Sequence, residues 1–313
     1  MGALFIIGNG FDLAHNMSTS YRDFRRYILE MYPQTIPNRD LQIELDDYLK
    51  MNEEQLAAEL LVYAMDHASG GTWSDFEDAL SRINFMDKIP KRIHKENETK
   101  EEDHLGAPEY LFYAGTLAGC FAQATRLWSD FFRRWIKEVE KKIERNEYSP
   151  RHTISGLMNE PDMQFFSFNY TKTPQVLYKV RKVIHIHNRT GQNLVFGHGV
   201  KNVTYQEPAR DGCFGSSDLD DMLMSFKKDT QRQIKKYSDF FKRLDATVDR
   251  VYSYGFNYSS VDSIYIKMIV QKIAPDACWY FTEFEAQNQE ELRRRKIKLR
   301  RYGFKGTFAT FDG

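Results

Sequence analysis

Five short stretches carry side chains suited to chemistry, and each stands where an apolar run gives out. The first, "LFIIGNGFDLAH", closes its run at Ile7 and continues through Gly8, Asn9, Gly10, Phe11 and Asp12. Glycines in such a turn permit positive φ and let the backbone approach a diphosphate closely, and N–H groups at a following helix start favour an anion. Position 13 is Leu, so the third glycine of G-x-G-x-x-G is missing. A buried strand that turns directly into a helix wants the same glycines, and this stretch alone leaves both readings open. Asn9 and Asp12 add polar groups of the kind that contact a ribose or a base.

The second stretch, "FSFNYTKT", ends an aromatic run with Asn169, Tyr170 and Thr171. The third, "KVIHIHN", places His185 and His187 two residues apart, which on a strand puts both on one face. "FGHG" sets His198 between Gly197 and Gly199, and "YGFNYSSVD" supplies Gly255, Ser259, Ser260 and Asp262. Serine and aspartate just before an apolar helix also read as ordinary caps, and a histidine among apolar neighbours as a core residue. H-x-H with a further histidine admits a metal, but no carboxylate cluster completes such a site. A serine hydrolase lacks its G-x-S-x-G elbow.

The elements around these stretches share one pattern. A continuous apolar run over 3–8 reads as a buried strand, followed by a helix in "TSYRDFRRYILEMY" that Pro33 and Pro37 end. Helical periodicity then dominates "LQIELDDYL", "EEQLAAELLVYAM", "WSDFEDALSRI" and one long stretch over 110–144, with "KRIHKENETKEEDH" a solvated loop between them. Strands are expected at 163–169, 182–187, 193–199, 247–256, 277–284 and 306–311, and helices at 218–246, 260–273 and along the basic run near 293. Strands alternating with helices predict an α/β fold: a Rossmann-type, mostly parallel sheet in a single domain spanning 1–313, with a helical insertion over 38–150 after the first strand-helix unit. In such a sheet, ligands sit beyond the carboxyl ends of the strands, where all five stretches fall.

Composition narrows the class. With 44 basic and 44 acidic residues, the whole-molecule field attracts neither nucleic acid nor an anionic membrane. The cysteines, Cys120, Cys213 and Cys278, form no C-x-x-C pair, which argues against structural zinc or a disulfide framework. No run reaches the roughly 20 apolar residues of a membrane span, so the chain reads as soluble and cytoplasmic.

In order, "LFIIGNGFDLAH", "TSYRDF", "WSDFE", "FSFNYTKT", "HIHN", "FGHG" and "YGFNYSSVD" resemble the bacteriophage abortive infection AbiH family of bacterial defence proteins. That family is in turn similar to sirtuin-like NAD-consuming domains, with a Rossmann-type sheet and a helical insertion. The resemblance implies NAD or a related nucleotide as ligand or substrate, cleaved at the nicotinamide–ribose bond. It implies His187 as base and Asn169 as the residue orienting ribose and water. Gly8, Asn9, Gly10, Phe11, Asp12, Tyr170, Thr171, Gly197, His198, Gly255, Ser259 and Asp262 would line the nucleotide. Thr171 stands where the N-x-D element has an acid, and Asn188 follows His187 where the H-G element has glycine. Trp73 and Glu77, one helical turn apart, read either as core packing with a solvent-facing acid or as a lid over the nucleotide.

A competing class rests on "RRRKIKLRRYGFK" (293–305), where eight basic residues neighbour Tyr302 and Phe304. A cationic stripe with aromatics grips phosphates and stacks bases; it also serves as a solvated helix face. A phage-derived trigger or partner protein is open, and the amphipathic stretch near 110–145 can bury itself within its own chain or pair with a second copy.

Overall fold

The structure is a computed structural model, and it describes residues 2–38, 51–68, 71–83, 85, 107–199 and 216–313. The expected helix "LQIELDDYL" and the loop "KRIHKENETKEEDH" fall outside the described residues. The chain divides into two compact units: a sheet unit of Met1–Ser20, Arg133–Gly199 and Lys228–Gly313, and a helical unit of Tyr21–Phe132 with Val200–Lys227.

Six parallel strands make up the sheet: β1 (Gly2–Ile7), β2 (Met163–Ser167), β3 (Ile184–His185), β4 (Val248–Tyr254), β5 (Cys278–Thr282) and β6 (Thr307–Phe311), in the order β3-β2-β1-β4-β5-β6. Every neighbouring pair is parallel. β1 has no polar residue because it is buried on both faces. Leu4 and Ile6 join Phe166, Val251, Trp279 and Phe281 under the helices 238–243, 263–270 and 289–301. Ala3, Phe5 and Ile7 join Phe165, Tyr252 and Tyr254 under the helices 9–14 and 152–158. Register pairs Phe165, Phe5, Tyr252 and Tyr280 straight across four strands. Their rings follow at 6.0, 6.2 and 4.7 Å, a cross-strand aromatic row that resists slippage.

Several expectations change. The run 193–199 is not a strand: only five residues separate it from His187, whereas a further parallel strand needs a crossover of a dozen or more. It folds back, with the Val195 N–H on the His187 carbonyl (2.9 Å) and the Tyr170 hydroxyl on the Val195 carbonyl (2.9 Å). β3 shrinks to two residues because the chain turns at Ile186 and His187. The polar helix expected over 218–246 is three short helices, Ser216–Ser225, Thr230–Lys236 and Ser238–Arg243.

The helical unit is an aromatic core. The expected long helix breaks at Arg126 and Leu127 into Ala107–Thr125 and Trp128–Glu144, the second of which continues into the sheet unit. The Thr125 hydroxyl bonds back to the Ala122 carbonyl (3.1 Å), and the next two N–H groups make tight i→i−3 bonds, which close the first helix. Trp128 then donates its indole N–H to the Ala57 carbonyl (2.9 Å) and stacks on Phe226 at 4.9 Å. Trp73, half-buried, lies within 5.8 Å of Phe24 and 5.4 Å of Phe132, in the aromatic cluster of this unit. Glu77 is buried and does not face solvent as expected of the acid beside it. Among the described residues no helix is long and apolar enough to cross a membrane.

Candidate functional site

The carboxyl ends of β1 and β4 meet backbone against backbone. A Cβ on Gly10 would lie 2.6 Å from the Gly255 Cα, and one on Gly8 would lie 2.4 Å from the Gly255 carbonyl oxygen. Gly255 itself has φ +65. The three glycines therefore have a packing reason to exist. Their N–H groups are also spoken for: Gly8 donates to the Tyr254 carbonyl (2.9 Å) and Gly10 to the Gly255 carbonyl (3.0 Å). The donors expected to meet a diphosphate thus already join β1 to β4. Asn9 gives its amide to the Thr19 carbonyl (3.0 Å), and Phe11 is a core ring beneath the turn, 5.3 Å from Tyr254.

Asp12 is buried and ties β1 to β2. Its two carboxylate oxygens accept hydrogen bonds from Thr171 (2.6 Å) and Thr173 (2.7 Å). Burial raises the Asp12 pKa to about 6 against the lowering hydrogen bonds of Thr171, Thr173 and Asn169. Asn169 also donates to the Gly8 carbonyl (3.0 Å), so its amide belongs to the same bracing. His185 lies beside it and donates from Nδ1 to the Asn169 carbonyl (3.0 Å), while Gln175 donates to Nε2 (2.8 Å). Burial lowers its pKa to about 4, so it is a neutral, satisfied core histidine.

His187 does not share a strand face with His185, because the turn at Ile186 ends the strand alternation. It approaches the helix Ser263–Val270 instead, where Nε2 lies 2.8 Å from Asp262 Oδ1. Its Nδ1 faces the Phe168 carbonyl at 3.2 Å, and the rings of Phe168, Tyr170 and Tyr265 surround it at 5.5 to 6.2 Å. Lys228, fully buried, brings Nζ to 3.4 Å from the same Asp262 oxygen and 3.5 Å from His187 Nε2. Burial would raise the Asp262 carboxyl, but Lys228 and His187 outweigh it and hold Asp262 well below the ordinary carboxylate range. Ser259 bonds the other Asp262 oxygen and accepts the Asp262 N–H, both at 3.3 Å. Asp262 therefore stands at the start of its helix without a side-chain bond to the helix N–H groups, and its carboxylate anchors the histidine. Among the described residues no group of three or more His, Cys, Asp or Glu is placed to hold a metal.

Lys228 was missed in the sequence because it lies in a polar segment without an apolar period; the signal available was the stretch that meets it. The Lys228 N–H donates to the His198 carbonyl (2.8 Å), so "FGHG" is the backbone seat of Lys228. Gly197, buried, has φ +135, and His198 is buried as well.

The basic run 293–305 is largely engaged within the fold. Arg294 pairs with Glu290 (2.5 Å), Arg295 with Glu285 (2.5 Å), and Lys298 donates to the Tyr258 carbonyl (3.1 Å). Lys296 and Arg300 lie 5.5 and 4.7 Å from the Phe308 ring.

An all-parallel sheet with helices on both faces, polar side chains gathered at its strand ends and the order reversing at β1 defines a doubly wound α/β protein of Rossmann type. The model of the bacteriophage abortive infection AbiH family matches residues 4–283, and the chain belongs to that family. It is therefore placed among bacterial abortive-infection, antiphage proteins. Comparison with curated proteins and with solved structures gave no match.

Proposed function

We propose that this AbiH-family chain takes NAD or a related nucleotide over the carboxyl ends of β1 to β4 and cleaves the nicotinamide–ribose bond, so that infection ends in loss of the dinucleotide. One observation carries the reading: Asp262, His187 and Lys228 are buried together at that rim. Removing three ionisable groups from water costs several kcal/mol that mutual attraction only partly offsets, and well-packed apolar residues would serve stability better. Such a cluster at the ligand edge of a doubly wound sheet is a candidate for chemistry. In the reaction, the C–N bond breaks with its electron pair leaving on nicotinamide, and a water oxygen bonds to the ribose carbon. His187 takes the proton that water loses, and Asn169 orients that water through its side-chain oxygen.

Nicotinamide release from NAD by the purified protein, with His187→Ala and Asp262→Asn alongside and a dinucleotide titration in parallel, tests this. Release abolished in both variants supports the reading. Absence of release and of binding overturns it. Binding without release is the outcome of a second reading, a nucleotide sensor without turnover. That reading is favoured by the contacts of His187: Nδ1 faces the Phe168 carbonyl and Nε2 faces Asp262 Oδ1 and Lys228 Nζ, so the ring must turn away from one of these partners before a nitrogen can meet a water.

A further inference from the structure

The sharing of one carboxylate oxygen by two cation-forming side chains has a chemical consequence. A buried aspartate facing a lone histidine makes a closed ion pair in which the imidazole holds its second proton tightly. Here Asp262 Oδ1 faces both His187 Nε2 (2.8 Å) and Lys228 Nζ (3.4 Å), and the two nitrogens are only 3.5 Å apart. The ammonium balances the carboxylate and repels a second positive charge on the ring.

Lys228 is held there by the backbone. Its N–H is on the His198 carbonyl (2.8 Å), and Gly199 packs so closely that a Cβ would lie 3.0 Å from the Cα of Val261, the neighbour of Asp262. The "FGHG" stretch, Lys228 and the residues before the 263–270 helix thus form one clasp. We infer that Lys228 is a positioning residue: delivered by the "FGHG" clasp, its ammonium shares Asp262 with His187 and keeps the imidazole able to lose and regain a proton. This rests on His187 being the working group of the proposed reaction.

Among the described residues, the other groups facing His187 are the Phe168 carbonyl and the Phe168, Tyr170 and Tyr265 rings. Among the described residues, Ser259 is the further partner of Asp262. None of these supplies a second positive charge.

The test is a pH titration of the His187 Cε1–Hε1 NMR signal in the whole chain, which needs no dinucleotide. In Lys228→Met the ring is expected to bind its second proton about tenfold more tightly or better. Lys228→Arg should stay near the parent, and Gly199→Val, which pushes the clasp off Val261, should shift the same way as Lys228→Met. A folded Lys228→Met with the parental titration overturns the inference. If that variant does not fold, Lys228→Gln, which removes the charge and keeps a donor, is judged by the same criterion, and Gly199→Val decides if neither folds. A shifted titration in a protein that releases no nicotinamide sinks only the NAD reading. Release that survives with an unshifted titration sinks only the role of Lys228.

Discussion

At the scale of single residues, a strand end rich in polar groups was readable from the sequence, but the division of labour among those groups was not. Asn169, His187 and Asp262 stand out by type and place, whereas Lys228 has no local pattern and reaches Asp262 only through the fold. Asp12 illustrates a group whose cost is measurable. Its pKa is raised from 3.8 to about 6, chiefly by burial, so the folded chain holds this proton more tightly than the unfolded one. Stability from this group is therefore lost as the pH rises through that window and stays lost above it, by roughly 3 kcal/mol at most. Asp12→Asn cannot ionise. Its unfolding free energy relative to the parent, from urea melts at pH 4, 5, 6 and 7, should climb by up to about 3 kcal/mol across the series. A difference that stays constant with pH would mean that Asp12 is not the buried, proton-holding group described.

At the scale of elements, strands and helices with strong periodicity were legible, including β1, β4, β5, β6 and the helices 21–31 and 53–66. What failed depended on neighbours. The run 193–199 has strand composition, yet a short connection forbids it a parallel place, and the break after Thr125 depends on a side-chain hydroxyl and a tryptophan anchored to another helix. The first turn also needed tertiary context, since only the fold shows that Gly8 and Gly10 face the β4 turn. Gly10→Ala drives its methyl to 2.6 Å from a backbone atom that cannot retreat without parting β1 from β4, so a loss of about 2–3 kcal/mol is expected. Gly156→Ala is the contrast. It lies in the helix His152–Met158, and an added Cβ meets nothing within 4 Å. It should gain about 0.5–1 kcal/mol through helix propensity and a less flexible unfolded chain. Urea midpoints of the two variants moving the same way would remove the packing explanation for the glycine turn.

At the scale of the whole molecule, the charge balance decides how much weight the basic run at 293–305 bears. Equal numbers of basic and acidic residues give no long-range pull on a polyanion, so any binding must come from local phosphate contacts. Of the eight basic residues there, five already have partners in the fold: Arg294 and Arg295 on glutamates, Lys298 on a carbonyl, and Lys296 and Arg300 against Phe308. Eight minus five leaves three. If only those meet phosphates, the slope of log K against log salt on duplex DNA should be no steeper than about −3, against about −7 for a fully engaged run. Binding between 50 and 200 mM salt, measured by fluorescence anisotropy with a labelled duplex, separates the two cases. A steep slope that charge reversal at Arg294 flattens would show that the run abandons its internal partners for phosphate and would restore nucleic acid as the ligand. A shallow slope that Arg294→Glu leaves unchanged keeps the run as the outer face of the helix between β5 and β6, and leaves the rim of strand ends as the proposed site.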